Sequence, residues 1–374
     1  QDWLGKQHIQ SLSWQGDAQL ENGIITNITG KISNKLIGFL PAVLHLSHAN
    51  QNQPNEERLL IKSKALDTEV IKGLHLIAAS IDTSLADLIK QHQAQLEYHN
   101  CHRKEPAIYA HLSKQGFVAM PKHYGNVVHS DREIHLVLQE WIAPQQIALL
   151  NSEDTPELWT EEWIQLCLSS LDVAHRMLET LPAEKPGLLS AFEPWKALNL
   201  YGKLMDILIE ECAEVEQIDQ LQQIKEDLLN MESDTLALRW PRVPIHNDFN
   251  PRNTLMRSSG MPCIYDWELS MIDFPQRDVV EFLSFILPKD FSVQSFLLYL
   301  KEHYQEIVQR KGPGHELAFE DYLKATEMAI KTYICCRVSF YEVSGIVAKY
   351  DFSPRILAVS LRMHQIIESE LQNT

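Results

Sequence analysis

The segment VPIHNDFNPRNTLM, residues 243–256, sets the tightest limit on what this chain folds into. Pro251 stands between Asp248 and Asn253, and a proline ring blocks the interior of a helix. The segment is also too polar for a core strand. It therefore reads as a loop that keeps His246, Asp248 and Asn253 close together. Further on, PCIYDWE reads as a short apolar strand ending at Asp266. Two elements that each end in a carboxylate or amide oxygen can meet around a hard cation, and Mg2+ takes one or two carboxylates, an amide oxygen, waters and phosphate oxygens. Phosphoryl transfer needs such a set. Metal and cation neutralise the group in transit, while a carboxylate aligns the attacking hydroxyl and takes its proton.

The rest of the chain divides by pattern. GIITNITGKISN (23–34), KLIGFLPAVLHLSH (35–48), RLLIKSKAL (58–66) and EIHLVLQEWI (133–142) read as strands rich in β-branched and apolar residues. Side chains alternate along a strand, so Lys62 and Lys64 share one face. TEVIKGLHLIAAS (68–80), SLADLIKQHQAQLEY (84–98) and KEPAIYAHLSKQG (104–116) carry helical periodicity, with Ser84 as the N-cap of the second. From residue 156 onward the pattern is mostly helical. The expectation is an α+β chain, a mixed lobe over 1–141 followed by a helical lobe over 142–374. A length of 374 residues fits two lobes.

The spacing His246-Asn247-Asp248 to Asn253, followed by Asp266-Trp267-Glu268, resembles the aminoglycoside phosphotransferase and choline kinase group, a branch of the protein-kinase-like fold. Members commonly show H-G-D-x-x-x-x-N and then I-D-W/F-E. Weaker likenesses follow in order. GKISNKL (30–36) is similar to the nucleotide-covering loop, LLIKSK to the strand bearing the phosphate lysine, and RKEPAIYAHL to the helix whose glutamate pairs with it. LVLQEWI is similar to the segment joining the lobes, AHRMLETL to the helix before the catalytic loop, and DFPQRDVVEFL to the stretch after the metal motif. This sequence departs from the pattern at Asn247, usually Gly, and at Arg252, usually small. One glycine, Gly30, marks the nucleotide loop, and two helices lengthen the interval from Lys62 to Glu105.

The resemblance implies a two-lobed fold, a small lobe with an antiparallel sheet beside a larger helical one. It implies a small-molecule kinase with Mg2+ and with ATP or GTP as co-substrate. Asp248 would be the base, with His246 in the catalytic loop as its brace, and Asn253 and Asp266 would hold the metal. Lys62, with Lys64 as its rival, would bind the phosphates and Glu105 would orient the lysine. Ser33 and Asn34 would meet phosphate, and Gln139, Glu140 and Ile142 would flank the base of the nucleotide. Glu268 would position metal or loop, or pair at the surface. Asp278 would anchor the catalytic loop, and Arg252 would meet an anion or an acidic neighbour. The acceptor would be an amine-bearing hydroxy compound, aminoglycoside-like or a biosynthetic intermediate, with a choline or hydroxyamino-acid type as the alternative.

Composition narrows the partners. The net charge is −17, and no cluster of Lys and Arg offers the basic patch that nucleic acid requires. An acidic balance favours a cationic small substrate. The six cysteines, at 101, 167, 212, 263, 335 and 336, form no C-x-x-C pair, so reduced thiols and a cytoplasmic setting are expected. No apolar run reaches the ~18–20 residues needed to cross a membrane. The chain opens on Gln1, which fits a piece of a longer polypeptide or a trimmed one; the alternative function is a non-catalytic kinase-like binding domain of a larger biosynthetic protein, and the partner expected besides substrate and nucleotide is such a parent protein or a second copy in a homodimer.

Overall fold

The computed structural model describes residues 7–14, 29–33, 35–48, 55–311 and 317–373. Strands β1 (Gln7–Trp14), β2 (Gly38–His48), β3 (Asn55–Ser63), β4 (His123–His129) and β5 (Ile134–Glu140) form an antiparallel sheet in the order β1-β2-β3-β5-β4. Alternation sorts its two faces. Ala42, Leu44, Leu59 and Ile61 bury one face, with Leu40, Leu136 and Leu138 against them. Lys62 lies next along β3, and Val137, its cross-strand partner in β5, belongs to the main core. The sheet therefore turns Lys62 inward, toward the helices.

Helices α1 (Asp67–Ile81), α2 (Thr83–Gln91) and α3 (Cys101–Lys114) follow β3. Helix α3 packs on β4 and β5. It ends in the way its sequence predicts: Gly116 takes φ +80°, and Phe117 N–H reaches back to Leu112 O at 3.0 Å, a Schellman arrangement that only a residue at ease in the left-handed region allows. Helix α3 starts at Cys101, earlier than residue 104, so Pro106 falls inside it. Ser84 is not the cap of α2. Asp82 accepts from Leu85 N–H at 2.9 Å and from the Ser84 hydroxyl at 2.5 Å, because a carboxylate at the N-cap accepts both donors. Residues 29–32 are helical, where β-branched composition alone points to a strand.

The C-terminal part is mainly helical: α4 (Glu161–Leu178), α5 (Leu198–Ile207), α6 (Gln276–Ile286), α7 (Val293–Lys311), α8 (Phe319–Tyr333), α9 (Ser339–Gly345) and α10 (Ser353–Gln372). All of α6 is buried, with α8 and α10 packed on it. Short strands join this part: β6 (Ile147–Leu149), ahead of α4, pairs with β8 (Thr254–Arg257), which pairs with β9 (Pro262–Ile264), and β7 (Val243–Ile245) pairs with β10 (Met271–Asp273). Their ends carry the motif residues. No helix among the described residues is long and apolar enough to cross a membrane, and all six cysteines are free thiols.

Candidate functional site

Strand β7 pairs with β10 and then runs into the loop that holds Asp248. Asn247 takes φ +59° there. Glycine and asparagine adopt that region most readily, which explains an asparagine where glycine is usual. From below, the buried Asp278 carboxylate at the start of α6 accepts the backbone N–H of His246 and of Asn247, both at 2.7 Å, and meets His175 Nε2 at 2.7 Å. Burial opposes the charge on Asp278, but the His175 hydrogen bond and the nearby histidines hold its carboxyl below the usual range. His246 is fully buried and holds Tyr265 O at 2.9 Å, its ring 4.4 Å from that of Trp267. Burial lowers its basicity. It braces two loops against each other and meets no open space.

The loop closes on itself through amides. Asn253 Nδ2 donates to Asp248 Oδ2 at 2.6 Å and to Asp248 O at 2.9 Å, which turns the amide oxygen of Asn253 away from the carboxylate. Asn250 Nδ2 donates to Asp248 Oδ1 and to Glu281 Oε1, both at 3.0 Å. Strand pairing of Thr254 with Ile264, and Tyr265 N–H on Asn253 O at 2.9 Å, set Asn253 beside Asp266.

Asp266 opens the second half of the site. It too lies in the left-handed region, at φ +66°. Lys62 Nζ sits 2.6 Å from Asp266 Oδ1 and 3.0 Å from Glu105 Oε1. Lys64, one residue past the end of β3, reaches the other Glu105 oxygen at 2.6 Å and also bonds Glu268. Both lysines therefore converge on one fully buried glutamate. Burial works against their charge, yet Asp266, Glu105 and Glu268 raise both above the ordinary lysine range. Burial works against Asp266 as well, and the two lysines hold it ionised. Asp266 and the Asn253 amide supply oxygen donors only, the chemistry a hard divalent cation takes, although here Asp266 is engaged by Lys62.

Other expected residues fall elsewhere. Ser33 Oγ donates to Glu69 of α1 at 2.7 Å; Asn34 lies outside the described residues. Gln139 is buried within the sheet, paired with Leu60 and His123. The Glu140 N–H is spent on Lys122 O at 2.8 Å, and its carboxylate takes Arg257 through two bonds of 3.0 and 2.8 Å. Ile142 follows the strand and, like Glu140, is partly exposed. Among the described residues Arg252 pairs with no acidic side chain; its Nε donates to Asn250 Oδ1 at 3.4 Å. Its guanidinium lies over Phe285, Tyr341 and Phe352 and donates to Tyr341 Oη at 3.0 Å, a cation–π seat.

Four charged residues come to this loop that motif spacing does not announce. Arg277 Nε donates to Asn247 Oδ1 at 2.7 Å. Glu97 accepts from Asn247 Nδ2 at 2.7 Å. Arg337 reaches Asp248 Oδ1 at 3.0 Å. Glu281 lies under Asn250 with one oxygen unpartnered among the described residues. The available signal was a charged residue inside an apolar helical run, as in YICCRVSF and DVVEFLSF, because such residues are buried only when paired. Burial, offset in part by Arg337, pushes the Glu281 carboxyl up to about 7. A raised carboxyl pKa means the folded state holds a proton that the unfolded state releases from about pH 4.3 upward, so stability is lost as pH rises toward 7. Glu281→Gln should therefore raise the melting temperature relative to the parent at pH 8, by about 1–3 kcal/mol of stability, and have little effect at pH 4. Thermal melts across that range check it.

The model of the phosphotransferase enzyme family matches residues 88–313. Among solved structures, the choline kinase of Streptococcus pneumoniae is 14% identical, the match covering 89% of this chain and 90% of that one, with a TM-score of 0.45. An ethanolamine kinase of Plasmodium vivax is 13% identical over 96% and 82% of the two chains, with a TM-score of 0.46. The GDP and kanamycin complex of APH(2")-IIia is 14% identical over 98% and 95%, with a TM-score of 0.49. No curated protein matches this sequence.

Proposed function

The chain belongs to the phosphotransferase enzyme family and is a phosphotransferase acting on hydroxyl groups, and from that premise we propose that it carries the γ-phosphoryl group of ATP or GTP to an amine-bearing small molecule, aminoglycoside-like or a biosynthetic intermediate. One observation carries the reading: Lys62 lies 2.6 Å from Asp266, at strand ends that also present Asp248 and Asn253. In this reading they are the phosphate-binding cation, the metal-holding carboxylate and amide, and the base, although they come from distant parts of the sequence.

In this reading the nucleotide lies between residues 1–141 and 142–374. Lys62, oriented by Glu105, draws charge from the phosphate oxygens, and Lys64 supports the same carboxylate. Asn253 and Asp266 would hold Mg2+, which when bound neutralises phosphate charge. Asp248 aligns the acceptor hydroxyl and takes its proton as the acceptor oxygen bonds to the γ-phosphorus. The bond from that phosphorus to the bridging oxygen breaks, and the nucleoside diphosphate leaves. Asn253 Nδ2 and Asn250 Nδ2 hold the Asp248 carboxylate in place for this step. His246 acts by bracing the loop.

The amine rests on the net charge of −17. The second reading for the acceptor is a compact ammonium alcohol of the choline type, which the same acidic balance suits. Consumption of Mg·ATP and Mg·GTP, followed over a panel of hydroxylated compounds with and without amines, tests both. Turnover with the amine-bearing members alone is the expected result. Lys62→Met should raise the KM for nucleotide by about 10–100-fold, the loss of one charge-assisted hydrogen bond. Turnover only with uncharged or acidic alcohols would overturn the amine reading, and none with any acceptor would overturn the kinase.

A further inference from the structure

Arg337 stands in a π-helical turn, Ile334–Val338, between α8 and α9. Such turns recur where a helix bends to serve a site. Its guanidinium is 3% exposed and makes three contacts. One amino group donates to Asp248 Oδ1 at 3.0 Å. The other donates to Glu97 Oε2 and to Asn247 O, each at 2.7 Å. Its Nε has no partner among the described residues. A buried, planar cation is therefore fixed on both sides: by the base and by the backbone of the residue before it, and by a carboxylate that arrives from the helices inserted between Lys62 and Glu105.

Those helices connect two loops. Near the start of α1, Glu69 takes the Ser33 hydroxyl at 2.7 Å and lies 3.4 Å from Lys35 Nζ. Beyond the end of α2, Glu97 takes Arg337 and the Asn247 side-chain amide, both at 2.7 Å, while α2 itself packs on α5. One end of the insertion thus grips the segment that the sequence likens to a nucleotide loop, and the other grips the loop of the base.

We infer that Arg337 is a positioning residue for Asp248, held by Glu97, so that the insertion completes the acceptor side of the site. The inference rests on the kinase reading above. The physical reason is rotational. A carboxylate held only by the two asparagine amides can pivot about its side-chain torsions, and a charged, bidentate-capable donor held at its far side removes that freedom. Asp248 Oδ1 is shared by Arg337 and Asn250, while Oδ2 takes Asn253; this places the carboxylate plane before any acceptor enters. Misplacement of a reacting group by about 1 Å costs on the order of 10²-fold in rate. Because the contact involves the base and not the lysine cluster, its loss should fall on kcat and leave nucleotide binding alone.

The test compares the parent with Arg337→Met, Arg337→Lys and Glu97→Gln, using the acceptor found in the panel. The expected result is a kcat about 10²-fold lower in Arg337→Met, an unchanged KM for Mg·ATP, partial recovery in Arg337→Lys, and a smaller kcat loss in Glu97→Gln. A kcat within threefold of the parent in Arg337→Met, roughly the noise of such comparisons, overturns the inference. So does a loss that Lys does not restore and that comes with weaker nucleotide binding, since that is the mark of a purely structural arginine. Melting of Arg337→Met, Asp248→Ala and the double variant gives the pair's coupling without any turnover. Coupling in a parent protein that phosphorylates nothing overturns the kinase reading and this role together, and leaves the ion pair as structure alone.

Discussion

Asp248→Ala lowers turnover by about 10²–10⁴-fold, the range a positioned general base contributes, and leaves nucleotide affinity close to that of the parent. The split follows from the contacts. Asp248 touches Asn250, Asn253 and Arg337, and none of these belongs to the lysine cluster around Glu105. The variant also keeps its fold, because Arg337 retains Glu97 and Asn247 O as partners. Steady-state kinetics with the acceptor, beside equilibrium binding of Mg·ATP, measures both quantities. Equal loss of affinity and turnover would place Asp248 in nucleotide binding and not in the chemistry.

Asp278→Ala has the largest expected effect on stability, about 3–5 kcal/mol, the cost of removing a buried, hydrogen-bonded carboxylate. Three donors lose their acceptor at once: the N–H groups of His246 and Asn247, and His175. Asp278 is itself fully buried, as is all of α6. The pH dependence has a definite sign. Asp278 is held below the ordinary carboxyl range in the folded protein, so its contribution is fully present above the unfolded value near 3.9 and is lost as pH falls through the folded value. The gap between parent and variant should be widest at neutral pH and shrink in acid. Chemical denaturation at pH 7 and in acid reads it directly. A gap that stays constant with pH would assign the loss to packing and not to charge.

The two variants probe different depths of one structure. The upper layer is Asp248 with its amides and Arg337, the side assigned to the acceptor in the proposed reading. The lower layer, Asp278 with His175, fixes the backbone that carries it. Asn247 joins them: its N–H goes down to Asp278, its side chain goes sideways to Glu97 and Arg277, and its carbonyl goes up to Arg337. An asparagine at this position offers the left-handed backbone that a glycine would also supply, and adds a side chain that a glycine lacks.

Local signals were read well from sequence. Pro251 marked a loop, the five-position interval from Asp248 to Asn253 brought both side chains to that loop, and the apolar run before Asp266 became β9. These depend on turn and strand rules that act over a few residues. The strand assigned to 58–66 is present as β3, and the alternation that put Lys62 and Lys64 on one side agrees with their meeting at Glu105. Local rules were less reliable where two short-range preferences compete. β-Branched residues at 29–32 lie in helix, and Asp82 displaced Ser84 as a cap because both can cap and the carboxylate accepts more strongly.

By itself, the sequence determined which residues the proposed chemistry would use and that Asp248 and Asn253 share one loop, because spacing within a turn is a local property of the chain. Only the tertiary structure decided what holds them. Arg337 meets Glu97 across 240 positions and Asp248 across 89, and Glu140 pairs with Arg257 across 117. No periodicity or propensity spans such intervals. A buried charge must find a partner wherever packing brings one within hydrogen-bond reach, and that choice belongs to the assembled core.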